Sequence, residues 1–178
     1  VAGAGVGAGL SVAEAVARSQ RTLALVVGAA IGGAAAGGAT QLLGQWSLAA
    51  LVGLHVAIGG GLEGLVIGGA AGLGYSLTTS EVEEGLAAPR GRKRITVAAF
   101  TTVACGLGAL MLTLAGRALV GGTIHAIAEA SHGAQVMLTP LGRLIGEPDF
   151  GPLSQAVIGT SEGAFFGLGL ALGLTRRP

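Results

Sequence analysis

The sequence predicts an all-α fold, a polytopic transmembrane helical bundle, and three observations carry that prediction. Apolar residues make up 51% of the chain and charged residues 11%, whereas soluble domains carry about 25% charged residues. Charge is missing over whole stretches: Thr22 to Leu62, Gly64 to Ser80 and Ile95 to Gly116 contain no Asp, Glu, Lys or Arg. About 20 apolar residues cross the ~30 Å of hydrocarbon in a bilayer, so runs of this kind read as spans. The runs also lack the alternation of a transmembrane β-barrel.

Composition excludes several other classes. The 35 glycines follow no period of three, so this is not collagen. A mean hydropathy of +0.75 is too high for a disordered chain. The net charge is +1 with no basic face suited to nucleic acid. The expected partners are therefore the lipid bilayer and either other membrane-protein subunits or further copies of this chain. Cys105 is the single cysteine and falls mid-span, so no intrachain disulfide forms.

The elements follow in order. Residues 1–17, VAGAGVGAGLSVAEAVA, lack a basic leading region and do not read as a signal peptide. They read as an interfacial helix or a further crossing. Gly3 and Gly5 begin a GxGxxG-like run, but position 8 is Ala8 and no strand precedes it. A start at Val1 fits a soluble domain ahead of it. After Arg18 and Arg21, crossings are expected at 22–43 and 48–77, turning at GQWS (44–47) with Trp46 at the interface. Residues 1–78 thus form a first membrane repeat.

The stretch 79–94, TSEVEEGLAAPRGRKR, is a charged loop whose basic end makes it cytoplasmic by the positive-inside rule. Arg176 and Arg177 put the C-terminus on the same side of what reads as a cytoplasmic (inner) membrane. Residues 95–178 form a second repeat, with crossings at 95–115 and 152–175 and an external insert at 117–150. That makes four crossings; 1–17 and 118–138 would raise the count to five or six.

The repeat itself rests on two runs. LEGLVIGGAAGL (62–73) aligns without a gap on SEGAFFGLGLAL (161–172), Glu63 on Glu162 and Gly64 on Gly163. Gly60, Gly64, Gly68 and Gly72 lie four apart, as do their counterparts Gly159, Gly163, Gly167 and Ala171. Such spacing lines one helix face, and small residues there let a neighbouring backbone approach closely. Gly28, Gly32 and Ala36 offer a matching face on the first helix.

Glu63 and Glu162 stand one residue before a ridge glycine. A charge at mid-bilayer costs roughly 2.5–3.5 kcal/mol, so each carboxyl must be protonated, paired or wet. Wet, the two would carry ions or protons, with His55 of the second span nearby. Paired, they hold neighbouring helices. The ridges and these two glutamates resemble the proteolipid subunits of rotary ATPases, in which glycine-lined hairpins carry a mid-membrane carboxylate. That resemblance implies ion translocation through Glu63 and Glu162. The long stretch 117–150 departs from the tight hairpins of that family.

GGTIHAIAEASHG (121–133) holds the other constellation. His125, Glu129 and His132 fall within an arc of about 60° on a helix, a donor set suited to Zn, Fe or Mn. The competing reading is the polar face of a helix on the membrane surface. Paired with a second histidine, His55 could ligate haem, but no cofactor is expected. No Walker, dinucleotide or nucleophile motif stands in its proper context, so the chain reads as non-enzymatic. The expected function is a membrane anchor or assembly subunit of a larger complex; the alternative is an ion or proton channel or transporter.

Overall fold

In a bilayer every backbone N–H and C=O must be satisfied within its own segment, a demand that helices meet. The computed structural model describes residues 5, 7, 21–53, 55, 58–79, 91–117, 119–130 and 139–175. Among these, every regular element is a helix: α1 (Arg21–Val52), α2 (Gly61–Thr78), α3 (Arg92–Leu114), α4 (Val120–Ala130), α5 (Thr139–Ile145) and α6 (Pro152–Leu174). Three are long and apolar enough to cross a membrane, over Thr22–Leu51, Arg92–Leu114 and Pro152–Leu174. At 1.5 Å per residue α3 and α6 each measure about 34 Å, and α1 about 48 Å.

The turn expected at GQWS is absent. Helix α1 runs through Gly44–Ser47 and stops only at Gly53, whose φ of +69° is the left-handed conformation of a helix C-terminus. Its N–H donates to the Ala49 carbonyl at 3.2 Å. His55 is consequently not part of a second span: it lies in the non-helical connection before α2 and is exposed. The basic triplet Arg92, Lys93 and Arg94 is helical too, forming the first turn of α3 rather than the end of a loop. Residues 80–90 of that charged segment, most of 1–17, and Arg18, Arg176 and Arg177 lie outside the described residues.

Packing runs from neighbour to neighbour. Helix α1 lies on α2, α2 on α3, and α3 on α6, with α4 and α5 against α6. The α1–α2 contact is made of backbone. A Cβ added at Gly64 would strike the Gly33 carbonyl, and one at Gly68 the Ala29 carbonyl. Gly60 lies against Gly37 and Gln41, near the middle of α1. The face that α1 uses is therefore Ala29, Gly33 and Gly37, not the expected Gly28, Gly32 and Ala36. Gly32 and Ala36 instead receive helical Gly5, whose added Cβ would come within 2.7 Å of both.

The α3–α6 contact differs in kind. A Cβ added at Gly159 would come within 2.5 Å of the Thr113 methyl, one at Gly163 would meet Ala109 and Cys105, and one at Gly167 would meet Thr101 and Cys105. Leu25 and Ala29 of α1, Ala71 of α2 and Cys105 of α3 form a fully buried cluster, flanked by Phe166, Leu170 and Leu174 of α6. All four long helices thus contribute to one core.

Candidate functional site

The two glutamates of the Glu-Gly pairs sit next to residues buried in helix contacts, so each side chain leaves the ridge by about 100° and meets a different neighbour. Glu63 is the third residue of α2. One carboxylate oxygen accepts the Gly60 N–H at 2.6 Å, half of the reciprocal arrangement that closes many helix starts. The Gly61 N–H reaches Gln41 Oε1 of α1 at 3.3 Å. The other Glu63 oxygen accepts from Arg117 Nε at 2.7 Å. Only 8% of the Glu63 side chain is exposed, against 47% of Arg117.

Arg117 reaches this place because of how α3 ends. Gly116 adopts φ +73°, the Arg117 N–H donates to the Leu112 carbonyl at 2.9 Å, and the Gly116 N–H donates to Thr113 at 3.0 Å. This paired closure is the Schellman motif, which requires a residue free to adopt the left-handed conformation. The chain reverses at once, and its first basic side chain turns back against the start of α2. Sequence reasoning assigned Arg117 to an external insert and missed this pairing. The available signal was slight: a glycine followed by arginine at the end of a charge-free run, 54 residues from the carboxylate it meets.

Glu162, ten residues into α6, is bound differently. Its two oxygens accept the N–H groups of Val120, at 3.0 Å, and Gly121, at 2.7 Å, the first residues of α4. A helix N-terminus carries a partial positive charge and unsatisfied donors, and a carboxylate answers both. A Cβ at Gly121 would lie 3.0 Å from that carboxylate and 2.9 Å from Ile158, so glycine lets the backbone approach. The two glutamates are therefore held by different partners. Arg117 and Glu162 nevertheless line one narrow cleft with Thr113 and Gln155, of about 10 Å³, room for roughly one water.

A third carboxylate repeats the device outside the apolar core. Glu147 accepts from the Leu153 N–H at 3.0 Å, the Ser154 N–H at 2.7 Å and the Ser154 hydroxyl at 2.5 Å. It closes the start of α6, where Pro152 has no N–H in need of an acceptor. The Ser154 hydroxyl, followed by these backbone donors, holds the Glu147 carboxyl below the usual carboxylate range.

The histidine constellation lies largely outside the described residues. His125 and Glu129 lie within α4, but their side chains and the whole of His132 fall outside the described residues. Among the described residues no group of three His, Cys, Asp or Glu is placed to hold a metal ion. His55 is itself exposed and lies between α1 and α2. No known protein family, curated protein or solved structure matches the chain.

Proposed function

We propose that this chain is a non-enzymatic membrane domain, an anchor or assembly subunit that joins a larger complex through close helix packing. The observation that carries this reading is the state of the two intramembrane carboxylates. Glu63 is tied to Arg117 and the Gly60 N–H, and Glu162 to two backbone N–H groups. Each ionisable group that lipid makes costly is matched by a donor within the protein. Glycine ridges on α2 and α6 then supply the close van der Waals contact that lipid does not drive.

On this reading the four long helices form two related hairpins, residues 1–78 and 95–178, each ridge acting as a glycine zipper. The basic residues 92–94 and the C-terminus face the cytoplasm. A second reading, ion or proton conduction, is favoured by one feature, the polar cleft between Arg117 and Glu162.

Reconstitution separates the two. Vesicles containing the chain should show no proton or monovalent-cation flux above empty vesicles under an imposed gradient, and Glu63→Gln with Glu162→Gln should change nothing. In gently solubilised native membranes the chain should migrate in an assembly larger than itself. Flux that disappears with Glu162→Gln would make the chain a conductor instead.

A further inference from the structure

Glu63 and Glu162 act on one short segment between α3 and α4. Arg117 is bound to Glu63 of α2, and the Val120 and Gly121 N–H groups are bound to Glu162 of α6. Residues 117–121 thus carry both attachments, and the two differ mechanically. The Glu63 bond holds a side chain that springs from the closed turn at Gly116, so it fixes where the segment leaves α3. The Glu162 bonds hold the first backbone donors of α4, so they fix where the helix itself lies.

Little else holds α4. Among the described elements it packs against α6 alone. None of its residues whose burial is described is fully enclosed, and Val120 and Ile124 are 66% and 42% exposed. Its first turn rests on α6 through Gly121, whose added Cβ would lie 2.9 Å from Ile158. A helix with so few buried apolar contacts belongs to the least stable part of a fold. The cleft of about 10 Å³ opens at this same end, walled by Thr113 of α3, Gly121 and Gly122 of α4, and Gln155 and Glu162 of α6. Moving α4 away would remove one wall.

We propose that α4 is a latched strap: Arg117, held by Glu63, is its root, Glu162 is its latch, and loss of the Glu162 charge releases α4 from α6 and opens the cleft. A carboxylate answers both the partial positive charge and the free donors of a helix start, whereas a neutral side chain answers only the donors, and those in part. Arg117 is the other charged residue lining the cleft, and its bond to Glu63 does not depend on Glu162. Glu147 is bound at Leu153 and Ser154, two turns before Glu162 on α6. The further ionisable side chains on α4 and α5 are His125, Glu129 and Arg143, and between Ile95 and Leu114 α3 has only buried Cys105. The proposal goes beyond the anchor reading in giving the domain a moving part.

The test attaches a nitroxide to Ile124→Cys in the full chain in phosphatidylcholine vesicles. Cys105 is fully buried, so a single label is expected. Electron paramagnetic resonance then reads the ratio of mobile to immobile label. Glu162→Gln should raise that ratio at pH 7 by about two- to fivefold, the factor that one charge at a helix start supplies. Acidifying the parent should raise it by the same factor, and acidifying Glu162→Gln should add nothing. Gly121→Ala, which sets a Cβ 3.0 Å from the Glu162 carboxylate, should raise it at pH 7 as well. Throughout, Cys105 should stay unreactive towards thiol reagents, because α3 and α6 remain packed. A ratio unchanged in either variant, or an acid response that persists in Glu162→Gln, overturns the proposal. So does a rise accompanied by exposure of Cys105, which would report a loosened bundle instead of a released helix.

Discussion

The α1–α2 and α3–α6 contacts are both lined with glycine, yet they are built from different material. Across the first, glycine faces backbone: Gly64 and Gly68 approach the carbonyls of Gly33 and Ala29. Across the second, Gly159, Gly163 and Gly167 receive the side chains of Thr113, Ala109 and Cys105, together with backbone at the last two. A main-chain carbonyl inside a helix cannot move aside without disturbing its own hydrogen bond. A threonine methyl can rotate. The comparison teaches that equal ridges in sequence need not be equally demanding in the fold.

That difference is open to a direct challenge. Gly64→Ala should destabilise the domain by about 3 kcal/mol, the upper end of the cost of overpacking, whereas Gly159→Ala should cost about 1 kcal/mol. Cys105 is the only cysteine and is fully buried, so the temperature at which it becomes accessible to a thiol reagent in detergent measures both. Similar losses at the two positions would mean that the interfaces are equivalent after all.

The carboxylates sharpen the same contrast. Arg117→Leu leaves Glu63, of whose side chain 8% is exposed, without its cation. The expected loss is about 2 kcal/mol, below the ~3–5 kcal/mol of a fully buried pair because Arg117 is half in contact with its surroundings. Glu162→Gln should cost less, about 0.5–1 kcal/mol, since its partners are a helix N-terminus that a neutral carbonyl still satisfies in part. The thiol-accessibility melt reads both variants. A larger loss at Glu162 would mean that the bond to the α4 N-terminus, not the ion pair, is the more costly of the two to disturb.

The smallest effect lies at the start of α6. Because the folded Glu147 carboxyl is held below its ordinary value by Ser154, its contribution is present above the usual carboxylate pKa and is lost as pH falls through the folded value. Glu147→Gln should therefore lower the melting temperature slightly at pH 7, and the gap from the parent should close as the solution is acidified below about pH 4. A gap that widened on acidification would contradict the cap.

Much of the architecture was legible because it depends on local quantities. Charge-free runs of known length predict apolar helices, and the crossings expected at 95–115 and 152–175 match Arg92–Leu114 and Pro152–Leu174 closely. The first helix, by contrast, runs on to Val52, and the expected 48–77 shrinks to Gly61–Thr78, which is not among the three helices apolar enough to cross a membrane. Four-residue spacing on α2 and α6 predicts small faces, and Gly64 and Gly163 do lie in helix contacts. Other features resisted. Gly44–Ser47 looked like a break, yet its polar residues remain compatible with helix, and Gly53 ends α1 instead. On α1, glycine and alanine recur on several faces, so spacing alone did not distinguish Gly28 and Gly32 from Gly33 and Gly37.

By itself, then, the sequence determined the helical class, the apolar lengths that suit a bilayer, and the placing of each Glu beside a ridge glycine. These follow from composition and from the fixed 3.6-residue period. Only the tertiary structure decided which small face of α1 is used, that Arg117 returns to Glu63, and that Glu162 closes α4 rather than meeting Glu63. Those outcomes join residues 54 and 41 positions apart. They depend on how whole helices dock and how a single glycine turn at Gly116 redirects the chain, and no local period encodes either.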